Sequence, residues 1–181
     1  MAKENYKGEK FFETSSKLLT ELDAICETIV GNLKTKGKSY ATEEIVEAKS
    51  FNELWQVKPN KHDNKYSTKE FKGIYAFASV DKNKKIDFKY IGISQTTRRR
   101  FSAHTKRTTR AEASWAYLMI KRDFPNMTKE QREMKIPEYQ KKFIYPLRFT
   151  FCPVDDNMLL HIAEVYCVNK LKAHWNSFET H

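Results

Sequence analysis

Apolar residues recur at steps of three and four through Leu18, Leu22, Ile25, Ile29 and Leu33, with Leu19, Cys26 and Val30 beside them. That period predicts an amphipathic helix from about Phe12 to Leu33. Gly31 weakens its last turn, and Lys36-Gly37-Lys38 ends it. Thr42, followed by Glu43 and Glu44, offers a cap and two carboxylates at the positive end of a second helix. This helix is expected to reach about Trp55, burying Ile45, Val46, Phe51, Leu54 and Trp55. Pro59 to Ser67 is polar and rich in breakers, so it reads as a linker with a module boundary near residue 70.

From Phe71 the period becomes that of strands: Phe71 to Ser79, a turn at Asp81-Lys82-Asn83-Lys84, then Ile86 to Ile93. Ser94 or Thr97 opens a helix carrying Arg98 to Lys106, and a further helical run covers Ala111 to Arg122. Pro125 to Pro137 is charged and is expected to break structure. Phe143 to Cys152 reads as a third strand, with Pro146 marking an edge or a bulge. Pro153 to Asn157 then leads into a last helix from about Met158 to Ala173. The expected class is α+β: a small antiparallel three-stranded sheet flanked by helices over 71–181, with a helical extension over 1–70.

At 181 residues the chain suits one domain, or a compact module with an appendage. No run approaches the roughly 18 apolar residues of a membrane helix, and Met1 to Lys10 lacks the apolar stretch of a signal peptide. Cys26, Cys152 and Cys167 lie far apart among apolar residues, which suits reduced thiols and a cytoplasmic location.

Charge changes this picture. The net is +10, yet residues 1–70 balance twelve Lys/Arg against twelve Asp/Glu, so the excess lies in 71–181. Its densest patch is Arg98, Arg99, Arg100, Lys106, Arg107 and Arg110, which favours a polyanion by Coulomb attraction and counterion release. A merely solvated basic face is the simpler alternative.

Phosphodiester hydrolysis needs a positioned water, an acceptor for its proton, positive charge for the transition state and help for the leaving oxygen. One divalent ion held by a single carboxylate can serve the last two needs. Glu164 is the candidate carboxylate, because on the last helix it falls between Leu171 and Val168 in the apolar stripe with Leu159, Leu160, Ala163 and Cys167. A carboxylate there is costly unless paired or metal-bound; a glutamate at the stripe edge reaching solvent or an arginine is the alternative. Arg100 and His104, four apart, share one helix face, where a guanidinium can grip phosphate.

These residues follow two tripeptides, Gly73-Ile74-Tyr75 and Tyr90-Ile91-Gly92, on the two predicted strands of the hairpin. The ordered set Tyr75, Tyr90, Arg100, His104, Glu164 and Asn176 resembles the active site of the GIY-YIG nucleases over residues from about 71 to 178. The resemblance implies that Tyr75 activates or orients the attacking water, Tyr90 assists, and Arg100 stabilises the scissile phosphate. It also implies one Mg²⁺ or Mn²⁺ on Glu164, with His104 and Asn176 supporting. Lys89 stands where some restriction enzymes of this family have a lysine thought to help, although strand alternation would point it away from Tyr90. A solvent-facing strand lysine explains it equally well.

An insertion at about 106–142 departs from the minimal family pattern and is a natural place for DNA contacts. With no long tether or zinc motif, the chain resembles the small type II restriction endonucleases of the family. That implies a metal-dependent enzyme cutting both strands of double-stranded DNA at a short sequence, acting as a homodimer and accompanied by a DNA methyltransferase. The N-terminal helices would contact the partner chain or DNA. The alternatives are a structure-specific or nicking phage or repair nuclease, and a DNA-binding module with a dead site.

Overall fold

The structure is a computed structural model that describes residues 15–48 and 70–176. Its chain order is α1 (Ser15–Lys34), β1 (Tyr40–Ala41), α2 (Thr42–Glu47), β2 (Gly73–Val80), β3 (Ile86–Ser94), α3 (Thr97–Lys106), α4 (Ser114–Asp123), α5 (Lys129–Tyr139), a π-turn (Gln140–Ile144), β4 (Arg148–Pro153) and α6 (Asn157–Leu171). The class is α+β, and the strands form one antiparallel four-stranded sheet in the order β1-β4-β2-β3.

Side chains alternate along β2, and the two faces build two cores. Ile74, Ala76 and Ala78 meet the stripe of α1 (Leu22, Ile25, Ile29) and Leu159, Ala163 and Cys167 of α6. Tyr75 and Phe77 face the other way, toward Phe149, Phe151, Phe101 of α3, Trp115 and Ile120 of α4, and Ile136 of α5. Gly73 permits this layering, because a Cβ there would stand 2.2 Å from the Cys152 carbonyl oxygen of the adjoining strand.

The first helix follows its predicted stripe, with Leu22, Ile25, Cys26, Ile29 and Leu33 buried. Its apolar face is covered by the sheet and α6. At that seam the Cys26 and Cys167 sulfurs lie 2.9 Å apart, and all three cysteines are free thiols. The expected boundary near residue 70 therefore separates segments that share one core, and β1 adds a fourth strand to the three expected by pairing Tyr40 with Phe149.

Four further expectations are corrected. The second helix stops at Glu47, where Ala48 turns extended at φ −61° and ψ 140°, so it does not continue toward Trp55; Phe51, Leu54 and Trp55 lie outside the described residues. Thr42 is its first helical residue rather than its cap, and its hydroxyl donates to the Leu147 carbonyl at 2.8 Å. The stretch from Pro125 to Pro137 contains α5. Thr128 and Gln131 bond reciprocally, side chain to backbone, at 3.3 and 2.9 Å, and this capping box starts a helix that carries Pro137 near its end. The third predicted strand begins at Arg148 because Gln140–Ile144 closes a wider turn, with the Tyr145 amide on the Gln140 carbonyl at 2.9 Å.

The outer edge of β3 is covered by groups of its own chain, which removes the exposed amides and carbonyls of an edge strand. His174 and Trp175 donate backbone amides to the Phe88 and Lys89 carbonyls at 3.2 and 3.0 Å. Asn176 then receives the Ile91 amide at 3.0 Å and donates its own amide to the Ile91 carbonyl. No helix among the described residues is long and apolar enough to cross a membrane.

Candidate active site

Antiparallel register sets Tyr75 directly opposite Gly92. A Cβ on Gly92 would stand 2.6 Å from the Tyr75 hydroxyl and 3.0 Å from Tyr90 Cε1, so this glycine makes the space that the two tyrosine rings occupy. Its role is steric, and the sequence signals it only as a glycine in the middle of a strand.

The hairpin contains a β-bulge. Phe77 pairs with Tyr90 and Ala78 with Phe88, which leaves Lys89 as the extra residue. Phe88 and Ile91 enter the core against α1 and α6, whereas Tyr90 packs against the opposite core and Lys89 lines a pocket there with Trp115 and Trp175. Strand alternation placed Lys89 opposite Tyr90; the bulge overrides it and turns both toward Trp115. The Lys89 ammonium is paired with Asp87 at 2.5 Å.

Helix α3 carries Arg100 and His104 and is fixed at both ends. Glu70 accepts the Arg98 amide at 3.1 Å. At the other end Gln140, buried, donates to the His104 and Arg107 carbonyls at 3.0 and 2.8 Å, and the Tyr145 hydroxyl donates to the Thr105 carbonyl at 3.1 Å. The insertion thus holds the helix that presents His104. Neither Gln140 nor Glu70 was legible, because each acts through partners 28 or more residues away.

His104 Nε2 lies 3.0 Å from the Tyr75 hydroxyl, and both residues are enclosed. Burial, helped by the nearby Arg100 charge, holds His104 well below the ordinary imidazole range, so its ring is neutral. Burial pushes the Tyr75 phenol well above its ordinary value, and Tyr90 adds to that while Arg100 works against it. The pair is therefore a neutral phenol hydrogen-bonded to a neutral imidazole, and burial opposes a charge on either ring. The Tyr90 ring packs edge-on to His104 at 5.1 Å and stacks on Trp115 at 5.0 Å.

Arg100 is common to the whole set. Burial disfavours its charge, but the oxygens of Tyr75 and Tyr90 more than offset this and hold the guanidinium above its ordinary value. It also donates to Ser114 at 3.3 Å, at the start of α4. Glu164 is raised by burial and lowered in turn by His161, the Ile93 amide and Arg100. That amide lies on β3 one residue beyond Gly92, which puts the carboxylate at the same end of the hairpin as the tyrosines.

The described residues contain no cluster of three or more His, Cys, Asp or Glu side chains able to hold a metal. Glu164 nonetheless fits a hard divalent ion, because a half-buried carboxylate with one amide partner keeps free lone pairs, and water or phosphate oxygens complete such shells.

The other expected residues separate into groups. Arg98, Arg99, Arg100 and Arg107 line an open cleft of about 660 Å³ together with Glu70 and Glu112. Lys106 turns away to the Val46 carbonyl at 3.0 Å, and Arg110 lies over the Tyr117 ring at 5.7 Å, outside that cleft. Asn176 clamps the backbone of Ile91, between Tyr90 and Gly92, so its contact with the set is through the strand. Comparisons with protein-family models, curated proteins and solved structures give no match.

Proposed function

We propose that this chain is a metal-dependent endodeoxyribonuclease of the GIY-YIG kind that hydrolyses both strands of double-stranded DNA at a short recognition sequence, as a type II restriction enzyme does. The observation that carries the reading is the Tyr75–His104 hydrogen bond beside an arginine that also acts on Tyr90 and Glu164. Structural packing explains a buried tyrosine, but it gives no reason to gather a neutral imidazole, a guanidinium and a half-buried carboxylate around it.

In this reading a DNA strand lies in the arginine-lined cleft, with Arg98, Arg99 and Arg107 on neighbouring phosphates and Arg100 on the scissile one. The Tyr75 hydroxyl, fixed by His104 Nε2, orients the attacking water, whose proton passes to solvent because burial opposes charge on the imidazole. Tyr90 orients the nucleophile, and Lys89, brought to the same side by the bulge, adds positive charge once its pairing with Asp87 is released. Glu164 would hold one Mg²⁺, or Mn²⁺ in its place, which supplies charge stabilisation for the phosphate and the leaving 3′ oxygen. Asn176 keeps Tyr90 and Gly92 in place through Ile91.

One chain offers one such site, so cutting two strands calls for a homodimer. A companion methyltransferase would protect the host sequence. Incubating the protein with plasmid DNA and Mg²⁺ tests the proposal. Discrete, reproducible bands support it; nicked circles or smears favour a structure-directed nuclease, and intact plasmid with every divalent ion rejects cleavage.

A further inference from the structure

A second concavity, of about 170 Å³, is walled by Trp115, Met119, Tyr139, Phe143 and Trp175, and Trp115 also stacks on Tyr90. Its polar groups are few and charged. They are Lys89, Arg122 and Asp123, with Asp123 fixed by the Arg122 guanidinium at 2.8 Å and the Tyr139 hydroxyl at 2.9 Å. The Arg122 guanidinium lies 4.1 Å from the Trp175 ring centre. A planar, delocalised group thus already rests on this indole face.

We infer that this pocket binds an unpaired nucleobase of the DNA substrate, a site separate from the arginine-lined cleft. Aromatic walls with one carboxylate acceptor and two cationic donors suit a flat heterocycle whose edge carries both acceptors and amino groups. The volume suits one base rather than a base pair, so the strand must present that base unstacked. An aliphatic ligand cannot stack on these rings, and a peptide aromatic carries no edge of alternating donors and acceptors to share Asp123 with Tyr139 and Lys89 with Asp87. The position agrees: Lys89 follows the bulge into this rim, and Trp115 joins the pocket to Tyr90, so a base held here is one ring away from the candidate active site.

This inference rests on the nucleic-acid reading, and the test separates the two. The full chain, kept in EDTA to prevent cleavage, is titrated into a labelled mixed-sequence single strand and into an abasic strand of the same length and phosphate count, with anisotropy as the readout. The base-bearing strand should bind about tenfold more tightly. Trp175→Ala should erase that preference without changing affinity for the abasic strand, and Trp175→Phe should keep it. Unchanged abasic binding also shows that the variant is folded. Equal affinity of the parent protein for both strands, or a preference that survives Trp175→Ala, overturns the pocket assignment. Plasmid cleavage without a base preference rejects the pocket alone, and a base preference without cleavage rejects the nuclease reading alone. Failure to bind either strand rejects the pocket, and the plasmid assay alone then decides the nuclease reading.

Discussion

The Tyr75 hydroxyl lies 3.0 Å from His104 Nε2 in a space enclosed by Phe77, Tyr90 and Trp115. Among the described residues the other ring nitrogen of His104 has no hydrogen-bond partner. A buried imidazole with one unpaired nitrogen is unfavourable for stability alone. In the proposed reaction that arrangement keeps the ring neutral, as a fixed partner that holds the Tyr75 hydroxyl in place.

Tyr75→Phe removes the hydroxyl and leaves the ring packing. Cleavage should fall by about 10²-fold if the hydroxyl orients the attacking water. Stability should fall by only about 1–3 kcal/mol, the usual cost of leaving a buried partner unsatisfied. Plasmid linearisation rates alongside thermal melting check both, and a variant that cuts at the parent rate removes Tyr75 from the chemistry.

Gly92→Ala introduces a methyl group 2.6 Å from the Tyr75 hydroxyl and 2.7 Å from its ring. Both contacts must open, at a cost of about 1–3 kcal/mol for overpacking. Activity should fall far more than stability, because the ring displaced is the one bonded to His104. A melting curve paired with a cleavage assay distinguishes this from general loss of fold.

His104 predicts a sign for the pH dependence of stability. Burial first, and the Arg100 charge second, keep the folded-state pKa well below the ordinary imidazole value, so below about pH 6.5 the unfolded chain binds a proton that the folded chain refuses. Stability should therefore drop as pH falls from 7 toward 5. Glu70 and Glu164, both raised by burial, act with the opposite sign and soften the slope. His104→Gln should lose its share of the acid destabilisation in thermal melts across that range; an unchanged slope would show that His104 is not the group responsible.

Arg98 and Arg99 open onto the cleft, whereas Lys106 and Arg110 are engaged elsewhere. Replacing Arg98 and Arg99 with alanine should reduce the slope of log affinity against log salt by about 2, roughly one for each phosphate no longer neutralised. Lys106→Ala should leave the slope nearly unchanged. Fluorescence anisotropy with duplex DNA at several salt concentrations measures both.

The hairpin, α3 and α6 were legible because their periods are unbroken and their ends carry turn or cap residues. Tyr75, Tyr90, Arg100, His104 and Glu164 come together because those elements do. The bulge at Lys89 was not legible: two residues opposing one is a property of pairing, and the local sequence still alternates. Strand β1 is two residues long, too short for any period to register. Helix α5 was concealed by Pro137, although Thr128 and Gln131 carried its capping signal. The attachment of α3 to the insertion through Gln140 depends on tertiary contact alone.

Glu164→Ala, compared with the parent chain for both DNA binding and plasmid cleavage in Mg²⁺, Mn²⁺ and EDTA, tests whether Glu164 holds a catalytic metal. The parent should give discrete fragments with either metal and none in EDTA, and the variant none at all while still binding duplex DNA. Equal cutting by the variant, or a parent that binds DNA but cuts with no divalent ion, would contradict that role.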